Sequence, residues 1–265
     1  MISLNLRKSL GEDMRPGITA ALLITFLAGM ATSLGGLLGL WLKNPGPRLI
    51  SATLGFSAGV MVLVSFVELL ALGIERVGFA YAHLGFFAGM LFMYLVDNLV
   101  PHQYFAEKSA PGREETVTLY RTGLLVALGI GIHNFPEGMA TFVGTLQNLR
   151  LGLAIGLAIA IHNVPEGFAV SAPVYLATGS RRKGFLWSLY SGLAEPAGAA
   201  VAALFLFPFI SEAVLGWVLS IVAGIMVYIS IDELLPASRE YGEDNYSILG
   251  VIAGMGLMAF SLWLI

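Results

Sequence analysis

Gly59-Val60-Met61-Val62-Leu63-Val64-Ser65-Phe66-Val67-Glu68-Leu69-Leu70 recurs, without a gap, as Gly224-Ile225-Met226-Val227-Tyr228-Ile229-Ser230-Ile231-Asp232-Glu233-Leu234-Leu235. The glycine, methionine, serine, glutamate and paired leucines fall in register at an offset of 165. The same offset carries Gly85-Phe86-Phe87-Ala88-Gly89-Met90 onto Gly250-Val251-Ile252-Ala253-Gly254-Met255. One register therefore spans two consecutive apolar segments and the loop between them, so the chain contains a repeated unit.

The setting of these repeats is a membrane. Of 265 residues 57% are hydrophobic and 12% charged, and the mean hydropathy is +0.82, outside the composition of ordinary soluble domains. A helix crossing a bilayer needs about 20 apolar residues. Eight such segments are read at roughly 18–41, 48–72, 79–100, 119–146, 150–178, 183–208, 213–236 and 246–265. The runs are long and continuous, whereas membrane β-barrel strands are short and alternate in polarity. The expected fold is all-α: a single polytopic domain over 18–265 behind an N-terminal tail, 1–17, that is mobile or lies on the surface. The charged stretch from Arg7 to Arg15 ahead of an apolar run resembles a signal peptide, but the length of that run argues for a retained span.

Orientation follows from basic residues in short loops. With the amino terminus outside, the inward loops hold Lys43, Arg48, Lys108, Arg113, Arg121, Arg181, Arg182, Lys183 and Arg239. The outward loops hold Arg76 and Arg150, plus Arg7, Lys8 and Arg15 in the tail. Both termini are expected outside the cytoplasm. There is no cysteine, which excludes disulfides and thiolate metal ligands.

A third match links the first and sixth segments: Ala28-Gly29-Met30-Ala31 against Ser191-Gly192-Leu193-Ala194, at an offset of 163, with Glu195 standing where the first copy has Thr32. Repeat partners are five segments apart, an odd number, so the copies run in opposite directions across the membrane. The chain reads as 3+2+3: a three-helix unit, a central pair and an inverted three-helix unit. That is a transporter's construction, with its site near the midplane on the pseudo-two-fold axis. The alternative for the small-residue matches is ordinary close packing of membrane helices.

The central pair carries the chemistry. His133-Asn134-Phe135-Pro136-Glu137-Gly138 recurs as His162-Asn163-Val164-Pro165-Glu166-Gly167, each inside an apolar segment. Ionisable groups in hydrocarbon are costly and rare unless they act. In each copy His and Glu are at i and i+4 and Asn at i+3 from the Glu, so all three face one side. Imidazole, amide oxygen and carboxylate together suit zinc or another late first-row divalent metal. Pro136 and Pro165 each delete a donor in mid-helix and free a carbonyl. Glu195, followed by Pro196, is the natural additional ligand. Three carboxylates and two imidazoles exceed the needs of one tetrahedral zinc, so two ions bridged by carboxylate fit the set.

Met61 faces this site if the second helix lines it, and Glu68 lies two turns further along the same face. Glu68 belongs toward the outer mouth and Asp232 and Glu233 toward the inner, where carboxylates would concentrate negative potential and attract cations. Asp97 and Asn98 fit a cytoplasmic exit site, while His83 and His102 read as solvated. Each assignment has a plainer rival. The motifs can be a polar network joining helices, Glu195 a protonated carboxyl bonded to a neighbour, Met61 packing, and the mouth acids interfacial charges.

These motifs, in this order, resemble the ZIP family of divalent metal transporters, the Zrt- and Irt-like proteins. The resemblance is carried by the run from His133 through Val143, by His162 through Tyr175, by Ser191-Gly192-Leu193-Ala194-Glu195, and by Asp232-Glu233-Leu234. It covers nearly the whole chain after the tail. It implies uptake of Zn2+, with tolerance for Fe2+, Mn2+, Co2+ or Cd2+, across a bacterial inner membrane through a binuclear centre on the fourth, fifth and sixth helices. The implied ligands are His133, Asn134, Glu137, His162, Asn163, Glu166 and Glu195, with Met61 added through the alignment of the second helix. It further implies alternating access by a transport domain moving against a scaffold. Two departures stand out: Leu70-Ala71 lacks the Leu-Pro pair that Leu235-Pro236 keeps, and His102 is alone in its loop.

The function expected is thus inward movement of a divalent transition metal, not enzymatic catalysis, and no cofactor. Partners are the ions and the lipid bilayer, with no nucleic acid, and the chain is a monomer or a homodimer. The rivals are an intramembrane metal-dependent hydrolase, which lacks a His-Glu-x-x-His signature here, and a passive channel, which tight multidentate coordination disfavours.

Overall fold

The computed structural model describes residues 2–41, 46–99, 131–132, 134–206, 209, 211–240 and 242–264. His133, His102, the loop of about 101–118 and the first part of the fourth expected segment lie outside them. Among the described residues every regular element is a helix. These are α1 (Ile2–Trp41), α2 (Pro47–Val77), α3 (Phe79–Leu99), α4 (described over 134–147) and α5 (Leu149–Thr178). They continue with α6 (Arg181–Gly192, resuming as Ala194–Val201), α7 (Glu212–Arg239) and α8 (Asp244–Leu264). Among the described residues six stretches are long and apolar enough to cross a membrane: Gly17–Trp41, Pro47–Val77, Phe79–Asn98, Leu149–Ala172, Glu212–Arg239 and Asp244–Leu264.

Chain reversals are set by local chemistry. Pro47 occupies the first turn of α2, where its missing N–H costs nothing. Gly78, at φ 83°, ends α2 in a conformation that side chains disfavour. Asn148 caps α5 by accepting from the Arg150 amide at 2.8 Å, and Ser211 caps α7 by accepting from Val214 at 3.2 Å.

Three boundaries differ from the sequence reading. The α1 helix starts at Ile2 and passes through Pro16, so the tail is continuous with the first span; leucine, arginine, lysine and methionine there are good helix formers. Helices α2 and α7 outrun their apolar cores to Val77 and Arg239, because hydropathy marks the span and not the helix end. The sixth segment is not one uninterrupted helix. Pro196 cannot donate to the Gly192 carbonyl one turn back, and the helix breaks at Leu193 before continuing and passing into a π-helical stretch, Ala202–Leu206.

The inverted repeat is written in the packing. A methyl group on Gly59 of α2 would strike the Val251 carbonyl of α8, and one on Gly224 of α7 would strike the Phe86 carbonyl of α3. Gly89 likewise abuts the Ile221 carbonyl and Gly254 the Phe56 carbonyl. Every residue in one contact is the 165-offset mate of its counterpart in the other. Gly29 of α1 and Gly192 of α6, mates of each other, meet reciprocally, each against the other's carbonyl, which puts that crossing on the axis. The irregularities are paired too: α2 contains a π-helical segment at Ser65–Leu70 and α7 one at Ser230–Leu234. At each, the serine hydroxyl donates to the methionine carbonyl four residues back, Ser65 to Met61 at 2.6 Å and Ser230 to Met226 at 2.7 Å. Such back-bonding competes with the backbone ladder and accompanies its loosening.

Polarity is arranged inside out. Leu27, Phe87 and Trp263 are 58%, 61% and 77% exposed, while Asn134, Glu137, His162, Asn163, Glu166 and Glu195 are fully buried. A surface of large apolar side chains around a charged interior is what lipid solvation requires. The chain is a multi-pass membrane protein.

Candidate metal centre

The two motif prolines, Pro136 and Pro165, sit one residue ahead of the carboxylates they accompany, and the glycine that ends each motif seats its helix. Gly138 of α4 lies against the Glu195 carbonyl of α6, and Gly167 of α5 against the Thr32 carbonyl of α1. A second pair reinforces the first, with Gly198 against the Phe135 carbonyl and Gly35 against the Val164 carbonyl. These are again mates, now by offsets of 29 within the central pair and 163 between α1 and α6. Absence of a Cβ at these points brings four helices close enough for short polar side chains to meet.

Both motif asparagines use this closeness in the same way. Asn134 Nδ2 donates to the Ser191 carbonyl of α6 at 3.3 Å, and Asn163 Nδ2 donates to the Ala28 carbonyl of α1 at 3.0 Å. Ala28 and Ser191 are mates. A carbonyl only accepts, so each contact turns the amide nitrogen to the helix and the oxygen away from it. The Asn134 and Asn163 Oδ1 atoms, with Glu137 Oε1 and Glu195 Oε2, are buried oxygens with no hydrogen-bond partner among the described residues. Buried acceptors are ordinarily satisfied; oxygens held this way suit a cation.

The remaining atoms tie the helices to one another. Glu137 Oε2 and His162 Nε2 lie 3.2 Å apart, joining motif one to motif two. Asn163 also donates to Glu195 Oε1, joining α5 to α6. Glu137 and Glu166 are near enough to Glu195 for their charges to interact. Three carboxyl groups so enclosed must either meet positive charge or keep their protons, since removing each charge from water costs several kcal/mol. Among the described residues, no three His, Asp or Glu side chains converge tightly enough to cage one ion. Here the candidate ligand atoms are engaged with each other, Glu137 with His162 and Asn163 with Glu195, and ion binding would have to exchange those bonds for metal bonds.

The other sequence candidates divide. Met61 is fully buried on α2, one turn beyond Ser57, whose hydroxyl donates to the His162 carbonyl at 3.4 Å. The face of α2 that carries Met61 therefore packs on motif two. Glu68 is half-buried within its π-helical segment, away from these bonds. Asp232 lies beside Tyr228, whose hydroxyl also reaches Asp97 of α3 at 3.5 Å, so these acids share the end of α3 and α7. His83 bonds back to the Phe79 carbonyl of its own helix at 2.8 Å. Sequence reasoning missed Ser57 and the carbonyls of Ala28 and Ser191. Backbone acceptors leave no mark in residue identity, although both carbonyls fall in the strips that align α1 with α6.

An inverted membrane bundle closing on buried imidazole, amide and carboxylate groups is, by class, a transporter of cations. Comparison with known proteins makes this specific. The model of the family described as ZIP Zinc transporter matches residues 102–262. A protein named Zinc transporter ZupT from Chlorobium phaeovibrioides is 51% identical over 259 residues, covering 92% of this chain and 97% of its own length. Proteins of the same name from Chlorobaculum parvum and Streptococcus mutans are 47% and 44% identical, each over 95% of this chain and 99% of the relative. The chain belongs to the ZIP family. It is a transporter-family protein and not an enzyme.

Proposed function

We propose that this protein carries Zn2+ into the cytoplasm through the centre formed by α4, α5 and α6, with His133, Asn134, Glu137, His162, Asn163, Glu166 and Glu195 as ligands and Met61 contributed by α2. The observation that carries the reading is the pair of mated asparagines, each clamped by its nitrogen and leaving a buried oxygen without a donor beside the carboxylates. Two ions sharing a carboxylate match the number of donors, and Fe2+, Mn2+, Co2+ and Cd2+ suit the same nitrogen and oxygen set. The bilayer is a bacterial inner membrane, with both termini outside the cytoplasm and residues 18–265 acting as one domain.

Alternating access is supported by how the close contacts divide. Glycine-to-carbonyl approaches join α1, α4, α5 and α6 to each other and α2, α3, α7 and α8 to each other. Such contacts make each set a stiff body, and the polar contact of Ser57 with the His162 carbonyl at 3.4 Å is a weaker link between them. Movement of one set against the other would expose the centre to each side in turn, with Glu68 at the outer mouth and Asp232 and Glu233 at the inner.

Uptake of labelled zinc into sealed vesicles holding the purified protein tests the reading. Wild-type protein accumulates zinc, while His133→Ala and Glu166→Ala accumulate no more than empty vesicles. Accumulation by both variants at the wild-type rate would overturn the assignment.

A further inference from the structure

Glu195 has a mate, and it is not a carboxylate. The offset that superimposes Ala28-Gly29 on Ser191-Gly192 places Thr32 of α1 where α6 has Glu195. Thr32 is fully buried. Its backbone carbonyl accepts from Ser188 Oγ at 2.7 Å and supports Gly167 of motif two, yet its hydroxyl oxygen has no hydrogen-bond partner among the described residues.

That hydroxyl is unusual for its kind. A buried threonine in a helix ordinarily donates to the carbonyl four residues back, as Thr25 does to Ala21 at 2.9 Å and Thr141 to Glu137 at 3.0 Å. For Thr32 that carbonyl belongs to Ala28, and it already accepts from the amide of Asn163 at 3.0 Å. The Thr32 Cβ faces Gly192 of α6, three residues before Glu195, and the Asn163 amide held by the Ala28 carbonyl also donates to Glu195. Thr32 of α1 and Glu195 of α6 thus stand on the two helices that Asn163 bonds.

We propose that Thr32 is a specificity-determining residue of the metal centre: its hydroxyl is a neutral oxygen donor from α1 to the ion held by Asn163 and Glu195. This rests on the zinc-centre reading above. A neutral donor in place of a fourth carboxylate adds an oxygen without adding charge. Oxygen donors matter more to Mn2+ than to Zn2+, which is well served by imidazole, so the hydroxyl widens the range of ions accepted.

The test is direct titration of the whole detergent-solubilised protein with Zn2+ and, separately, Mn2+, comparing wild type with Thr32→Val, Thr32→Ser and Glu195→Ala. Removing a partner at a metal site costs roughly 10–100-fold in affinity. Thr32→Val is expected to weaken Mn2+ binding by about tenfold and Zn2+ by less, lowering the ratio of the two affinities, while Thr32→Ser keeps both. If Thr32→Val does not elute as a single species, Thr32→Ala is read by the same criteria. Unchanged affinities, or equal losses for the two metals, overturn the proposal, because a merely structural role does not move their ratio. Wild-type affinity in Glu195→Ala would instead overturn the centre itself.

Discussion

Two glycines on one helix, two residues apart, provide a sharp test of the inverted packing. Gly254 of α8 lies against the Phe56 carbonyl of α2, whereas a methyl on Gly256 meets nothing within 4 Å. In Gly254→Ala the new carbon falls where a backbone oxygen stands, and backbone cannot rotate away, so α2 and α8 must separate. Overpacking of this kind costs about 1–3 kcal/mol. Gly256→Ala incurs no such clash and gains up to ~1 kcal/mol of helix propensity. The propensity gain is common to both variants, so the gap between them is the overpacking cost, about 1–3 kcal/mol. At roughly 2–4 °C per kcal/mol for a chain of this size class, Gly254→Ala should unfold on the order of 2–12 °C below Gly256→Ala. Gly89→Ala, the repeat mate that meets the Ile221 carbonyl, should fall with Gly254→Ala. Thermal unfolding followed by loss of the monodisperse peak in one detergent measures all three. Equal midpoints for Gly254→Ala and Gly256→Ala would refute the close approach. A Gly89→Ala midpoint matching Gly256→Ala would refute the symmetry.

Further outcomes follow from the centre and its surroundings. Glu137→Gln keeps the volume but removes the charge beside His162 and is expected to weaken zinc binding tenfold or more, read by competition with a fluorescent chelator. Neutral imidazole is the metal-binding form and titrates near about 6.5 in reference peptides, so uptake at subsaturating zinc should fall as pH is lowered from 7.5 to about 5.5; a flat profile argues against histidine ligation in the rate-limiting state. The ion pair between Arg76 and Glu212 is largely solvated on the glutamate side, at 62% exposure. Arg76→Ala should therefore change stability by less than about 1 kcal/mol and leave uptake kinetics unaltered, and a severalfold loss of uptake would contradict that placement.

Much of the architecture was legible because lipid removes alternatives. Long apolar runs leave helices as the available form, and the shared offset of Gly59 with Gly224 and Gly85 with Gly250 predicted which helices are equivalent. The same offset predicts which carbonyls the glycines touch, as Val251 and Phe86 demonstrate. What stayed hidden depends on backbone atoms and on registry. The break at Leu193 lies three residues before Pro196, and the π-helical segments at Ser65 and Ser230 have no proline in common: Pro236 follows only the second. For the centre, residue types named the candidate ligand atoms, but not that Asn134 and Asn163 are oriented by the Ser191 and Ala28 carbonyls.

The duplication of contacts has an energetic corollary. The glycine-to-carbonyl approaches lie within the two sets of helices, in mated pairs, and would persist if one set moved against the other during transport. Backbone packing then contributes almost equally to the outward-open and inward-open arrangements, and the bias between them falls to positions where mates differ. Val67 opposite Asp232, Ala71 opposite Pro236 and Thr32 opposite Glu195 are such positions. On the alternating-access reading, a protein so constructed would rest near the balance point of its own cycle, where binding one ion would supply free energy enough to tip it.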